Sequence, residues 1–212
     1  MNVLQDIEEA FSKEITMLKS IINWKKELPE QVFSSYKNFA ILEFDYIFSK
    51  DFFEKISVFL NQIGEEELIF IVIDPNPKSY YFHNFGKYPF FKIHQSCTFE
   101  EYISILSKDP GNSPADAILY NSSRLIIHSD SLNWAIYGSR DFEVAIFATE
   151  LDTIVQLFKQ CIENTFDIES AIELVIEPAW GGNLEQEVAD VLLANYIGEQ
   201  MELVSKVVER GK

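Results

Sequence analysis

The spacing of apolar residues predicts helices and strands along the first part of the chain. Apolar positions three and four residues apart predict an N-terminal helix that ends near residues 24–27, before Pro29. These positions are Leu4, Ile7, Phe11, Ile15, Leu18 and Ile22. A second stripe over residues 52–63 predicts another helix, with Ser49 as its N-cap and Gly64 just after its end.

Short apolar runs lie on either side of this second helix. Residues 39–44 and 68–73 are apolar enough to predict strands, and the second run is apolar on both faces, which is typical of a strand inside a sheet. A strand, a helix and a strand of these lengths fit a βαβ unit.

The middle of the chain predicts further strands and one short helix. Thr98 and Glu101 have the spacing of a capping box and predict a helix that begins at Phe99. A turn at residues 138–141 predicts a hairpin. The predicted strands cover residues 80–82, 90–95, 125–128, 133–137 and 143–149.

After residue 150 the pattern is wholly helical. Helices are predicted over residues 151–162, from the cap Asp167 to the stop at Pro178, and over residues 184–208. The element order predicts one domain, 1–212, of the α+β or α/β class. It would hold a central mixed sheet, packed helices, an N-terminal helix and a helical C-terminal third. The 18 Phe residues supply ample core material.

The charge of the chain is strongly negative and uneven. The net charge is −17, and residues 141–205 hold 14 acids and one base, Lys159. Lys25-Lys26 is the one basic pair, so the electrostatic attraction that binds nucleic acid or an anionic membrane is absent. We therefore expect neither of these as a partner.

Other features indicate a cytoplasmic protein. The first 18 residues mix charged and apolar side chains, unlike a signal peptide, and no apolar run is long enough to cross a membrane. Cys97 and Cys161 fit buried thiols in a reducing compartment.

Motifs for catalysis are missing. The sequence contains no glycine-rich nucleotide loop, no GxSxG motif and no His or Cys spacing that suits a metal. We predict no catalytic residue, no metal and no cofactor, and therefore a protein that is not an enzyme. The alternative is a ligand-binding or metal-dependent enzyme that uses groups at strand ends. Its candidate residues are Glu43, Asp45, Asp74 and His94.

Two groups of residues are candidates for partner binding. Trp134, Tyr137, Arg140 and Asp141 lie around the predicted hairpin, and Trp, Tyr and Arg dominate binding hot spots. The plainer interpretation is that Trp134 fills the core while the charged pair decorates a turn.

The second group lies on the acidic helices. Glu173 and Glu177 stand four residues apart, with Trp180 three residues further along. Few lysines are available to pair with the acids of this region, so a negative surface that attracts a basic partner is expected. A solvated face that favours solubility is the plainer alternative.

The strands that flank Trp134 carry a resemblance. The segments 123–130, 134–138 and 143–147 are similar to a pattern in small acidic bacterial immunity proteins, which neutralise a cognate toxin. This resemblance implies a cytoplasmic, non-enzymatic protein that binds a basic toxin domain. A homo-oligomer joined through the last helix is a further alternative.

Overall fold

An antiparallel sheet of six strands forms the centre of the protein. The structure, a computed structural model, describes residues 8–111 and 113–198. The strand order is β1-β6-β5-β4-β2-β3, and all five neighbouring pairs are antiparallel. The strands are β1 (Asn38–Glu43), β2 (Glu67–Asp74), β3 (Phe90–His94), β4 (Arg124–His128), β5 (Trp134–Ser139) and β6 (Val144–Thr149).

Helices precede, interrupt and follow these strands, which gives the α+β class. The helices are α1 (Glu8–Leu18), α2 (Lys50–Ile63), α3 (His83–Phe85), α4 (Phe99–Leu106), α5 (Ile118–Asn121), α6 (Asp152–Cys161), α7 (Ile168–Ala171), α8 (Glu177–Ala179) and α9 (Gln186–Tyr196). A π-helical segment, Ile172–Ile176, joins α7 to α8. In the described part of the chain, no helix has the length and apolarity needed to cross a membrane.

Both faces of the sheet are buried. Helices α2, α4 and α6 cover one face, where Phe59 and Phe158 pack with strand residues such as Phe147. Helices α1, α7 and α9 cover the other face. Because both faces are covered, successive strand residues are apolar, which explains the uninterrupted runs in the sequence.

Local capping positions the helices where the sequence predicts them. The Ser49 hydroxyl accepts a 3.0 Å hydrogen bond from the Phe52 amide, and Gly64 ends α2 at φ 74°. Thr98 and Glu101 form the predicted capping box of α4, and Asp167 caps α7. These helix starts depend on neighbouring residues alone, so they could be predicted without the tertiary fold.

The strand arrangement corrects two predictions. Strands β1 and β2 run parallel, but β6, β5 and β4 lie between them, so they do not form a βαβ unit of adjacent strands. The sheet is antiparallel at every pairing rather than mixed. The later strands β4, β5 and β6 pair with each other and occupy the space between β1 and β2.

Several element boundaries also differ from the prediction. The segment predicted as a strand at 80–82 is helical, because the Asn76 side chain caps a π-helical turn, Pro77–Phe82. Helix α1 ends at Leu18, since Ile22 forms a β-bridge with Phe33.

Near the C-terminus, one helical segment extends further than predicted, and another ends earlier than predicted. Helical geometry continues through Pro178, which stands in the first turn of α8 and needs no amide donor there. Helix α9 ends at Tyr196, and the remainder of the predicted helix beyond residue 198 lies outside the described residues.

Candidate functional site

The strongest candidate site is an exposed surface where the β5–β6 turn meets the helical segment 168–179. We define the acidic face as Asp141, Glu173, Leu174, Glu177 and Trp180, all of which are exposed. Four of these five are predicted partner-binding residues, and the fold brings them to one end of the sheet.

Trp180 joins the two parts of this surface. Its indole N–H donates a 3.0 Å hydrogen bond to the main-chain carbonyl of Asp141, and its ring lies 5.5 Å from the ring of Phe142. The side chain remains 37% exposed. A tryptophan that is fixed at one edge and open at the other provides a rigid apolar contact for a partner.

The helical segment carries a row of acids. Glu169, Glu173 and Glu177 follow one another at intervals of four residues, so they lie on one side of the helical path. Leu174, beside them, is 60% exposed. The row of carboxylates makes this surface negative, and Leu174 adds an apolar side chain that a partner could cover.

Among the described residues, these acids have no cationic partner within ion-pair distance. In the part of the chain that the structure describes, none of the ion pairs within 4.0 Å involves an acid between residues 141 and 198. The acids therefore repel one another, and a basic partner would relieve the repulsion.

The turn adds to the negative potential. Glu143 closes the β5–β6 turn in a left-handed conformation with φ 54°. Burial raises the pKa of this carboxyl, and the negative charges of Asp45 and Asp141 raise it further, while Arg140 opposes them. The sequence prediction placed the turn at 138–141, whereas β5 extends to Ser139 and the turn spans residues 140–143.

Arg140 is engaged by its own chain. Its Nε donates to the Ser122 carbonyl at 3.1 Å, and its Nη1 donates to an Asp45 carboxylate oxygen at 3.0 Å. The guanidinium also lies 4.6 Å from the centre of the Phe44 ring. These contacts fix the β5–β6 turn to the residues that precede β4. Arg140 therefore stabilises the turn and is not itself a free contact for a partner.

Two predicted partner-binding residues are buried, which corrects that part of the prediction. Trp134 is 0% exposed and packs on Phe59 and Phe147. Tyr137 is 1% exposed on the opposite face of the sheet, where burial raises its pKa to about 12 although Arg124 lowers it. Neither side chain reaches a surface that a partner could contact.

The candidate residues of the enzyme alternative are not brought together. Strands β6, β5 and β4 lie between β1, which ends at Glu43, and β2, which ends at Asp74. His94 pairs with Glu67, at the opposite end of β2 from Asp74. Among residues 8–111 and 113–198, no group of three or more His, Cys, Asp or Glu is arranged to hold a metal.

The periodicity of the segment 168–176 indicates that Leu174 is exposed. Ile168, Ile172, Val175 and Ile176 form the predicted apolar stripe of this segment, and Leu174 lies off that stripe. A large apolar residue outside the stripe of a surface helix is exposed by the same periodicity that buries the others. The contact of Phe142 with Trp180, by contrast, joins distant parts of the chain, so local periodicity does not indicate it.

No family model, curated protein or solved structure matches this chain.

Proposed function

We propose that this protein is a non-enzymatic binding protein whose acidic face captures a basic protein partner. The observation that carries the proposal is the exposed set of Glu173, Leu174, Glu177 and Trp180, which combines solvent-exposed carboxylates with apolar anchors. Charge of one sign on a surface attracts a partner of the opposite sign over a distance and increases the rate of association.

The exposed apolar residues of the acidic face would slow the dissociation of the complex. Trp180 and Leu174 keep large fractions of their side chains in water, and a partner that covers them would remove that surface from solvent. The carboxylates around them would face lysine or arginine side chains of the partner. Inhibition of a toxin, as in the immunity proteins that the sequence resembles, is one role that requires this kind of surface.

Charge reversal on the acidic face tests the proposal. The native host's lysate is passed over immobilised protein at low salt, and bound proteins are quantified by mass spectrometry. The test variant is Glu173→Lys with Glu177→Lys. The control is Glu65→Lys with Glu66→Lys, which changes the net charge equally at the far end of the sheet, just before β2 begins.

The proposal predicts a basic protein that is retained by the wild type and by the control, with at least about tenfold less retained by the test variant. Equal retention by both double variants would mean that total charge matters and the acidic face does not.

A further inference from the structure

A pocket at the free edge of the sheet lies apart from the acidic face. Its volume is about 350 Å³, a size that suits a small ligand or the end of a peptide. It is enclosed by the outer edge of β1 together with parts of α6, α7 and α9. Its apolar walls include Phe39, Ile41, Val155, Ile168 and Tyr196.

The edge of β1 presents backbone groups to this pocket. Strand β1 pairs with β6 on one side only. On its other side the amide and carbonyl of Ile41 both bond to Phe166, at 2.9 and 2.8 Å. Because backbone groups alternate along a strand, the amide and carbonyl of Phe39 point to that same outer side.

Among the described residues, nothing outside β1 pairs with those two groups of Phe39. Within residues 8–111 and 113–198, no hydrogen bond from outside the strand reaches the Phe39 amide or carbonyl. Phe39 is only 8% exposed, and an unpaired backbone donor and acceptor are costly in such a position. An extended segment beside residue 39 would satisfy both groups, as in strand addition to a sheet edge.

A cation lines the same pocket. Lys159 is the one base between residues 141 and 205, and it is partly buried. No described residue forms a hydrogen bond or an ion pair with its ammonium group. Burial lowers the pKa of this lysine, although the negative charge of Asp167 opposes the effect. The nearby Asp167 carboxylate accepts the Ser170 amide at 2.8 Å as the cap of α7.

We infer that this pocket binds the C-terminal residue of a peptide that ends in an apolar side chain. The last amide of the peptide would pair with the backbone of Phe39, its side chain would lie among the apolar walls, and its free carboxylate would face the Lys159 ammonium. This inference does not depend on the acidic face, because the two sites share no residue.

Fluorescently labelled hexapeptides test the inference. Peptides ending in Ala, Val, Leu, Ile or Phe are each prepared with a free carboxylate and with a C-terminal amide. Binding to the full chain is measured by fluorescence polarisation. A third version with an N-methylated last amide removes the donor that would bond to the Phe39 carbonyl.

The expected result is that at least one free-acid peptide binds and that its amide and its N-methyl version each bind at least about tenfold more weakly. Lys159→Gln should remove the preference for the free acid, whereas Lys159→Arg should keep it. Lys108→Gln, an exposed lysine outside the pocket, is the control.

Two results with the wild-type protein would each overturn the inference: no binding by any of the five free-acid peptides, or equal binding of free acid and amide. Both are measured on the unmodified protein, so they decide the question even where a variant does not fold. A preference for the free acid that survives Lys159→Gln would also overturn it.

Discussion

The indole N–H of Trp180 donates to the main-chain carbonyl of Asp141 at 3.0 Å, and this bond connects the end of α8 to the β5–β6 turn. The two residues are 39 positions apart in the chain. Their contact places the exposed acids of the helical segment beside those of the turn, so that one partner could engage both.

Trp180→Ala should weaken binding of the captured partner about 30-fold, which corresponds to about 2 kcal/mol. The reason is that the variant removes the central apolar contact of the acidic face. Isothermal titration calorimetry with the purified partner measures the change. Trp24→Ala is the matched control, since Trp24 is 36% exposed and Trp180 is 37% exposed. An equal effect of both variants would speak against the acidic face.

Trp134 should matter for stability and not for binding. Trp134→Ala should lower the free energy of unfolding by about 3–5 kcal/mol, because it leaves a cavity beside Phe59 and Phe147. Trp134→Phe should cost less than half of that, since the Trp134 indole N–H has no partner to lose. Urea denaturation gives both values. A change in partner affinity for folded Trp134→Phe would contradict its purely internal role.

Arg140→Met should lower the free energy of unfolding by about 2 kcal/mol, because the guanidinium donates to the Ser122 carbonyl from a partly buried position. Arg140→Lys should not restore the loss, since an ammonium cannot reproduce the planar arrangement of donors. Thermal and urea unfolding of the two variants test this. Full stability of Arg140→Met would show that the turn does not depend on Arg140.

His128 should make stability depend on pH. Burial lowers the pKa of this histidine, which lies near Glu14, Lys92 and Asp130. The unfolded chain therefore binds a proton at a higher pH than the folded chain. The free energy of unfolding should fall as the pH drops below about 6.5, by up to about 1.4 kcal/mol per pH unit from this one group.

Urea denaturation at a series of pH values from about 8 to about 5 measures this dependence. His128→Gln should flatten it, while His83→Gln, at an exposed position, should leave it unchanged. A steep dependence that persists in His128→Gln would assign the effect to other groups.

Local signals predicted much of the fold. The Ser49 cap, the capping box of Thr98 and the hairpin strands after Asn133 follow from neighbouring residues, and they appear near the predicted positions. The strand order could not be predicted in the same way. It depends on β4, β5 and β6 pairing between two strands that come earlier in the chain.

The candidate site was predicted only in part, for a related reason. Trp134 and Tyr137 lie on opposite faces of β5, and one of them would be exposed if the sheet had an open face. Helices from both ends of the chain cover both faces, so both residues are buried. Glu173 and Glu177 lie on a helical segment at the surface, where periodicity alone indicates exposure, and Trp180 directly follows it.

The most direct test of the acidic face is the dissociation constant of the captured partner, measured over a series of salt concentrations. For the wild type, affinity should fall steeply as salt rises, because screening weakens the attraction of the exposed acids. In the Glu173→Lys and Glu177→Lys double variant, the affinity at low salt should be lower and the salt dependence shallower. Wild-type affinity that does not change with salt, or an equal dependence in the variant, would contradict electrostatic capture by this surface.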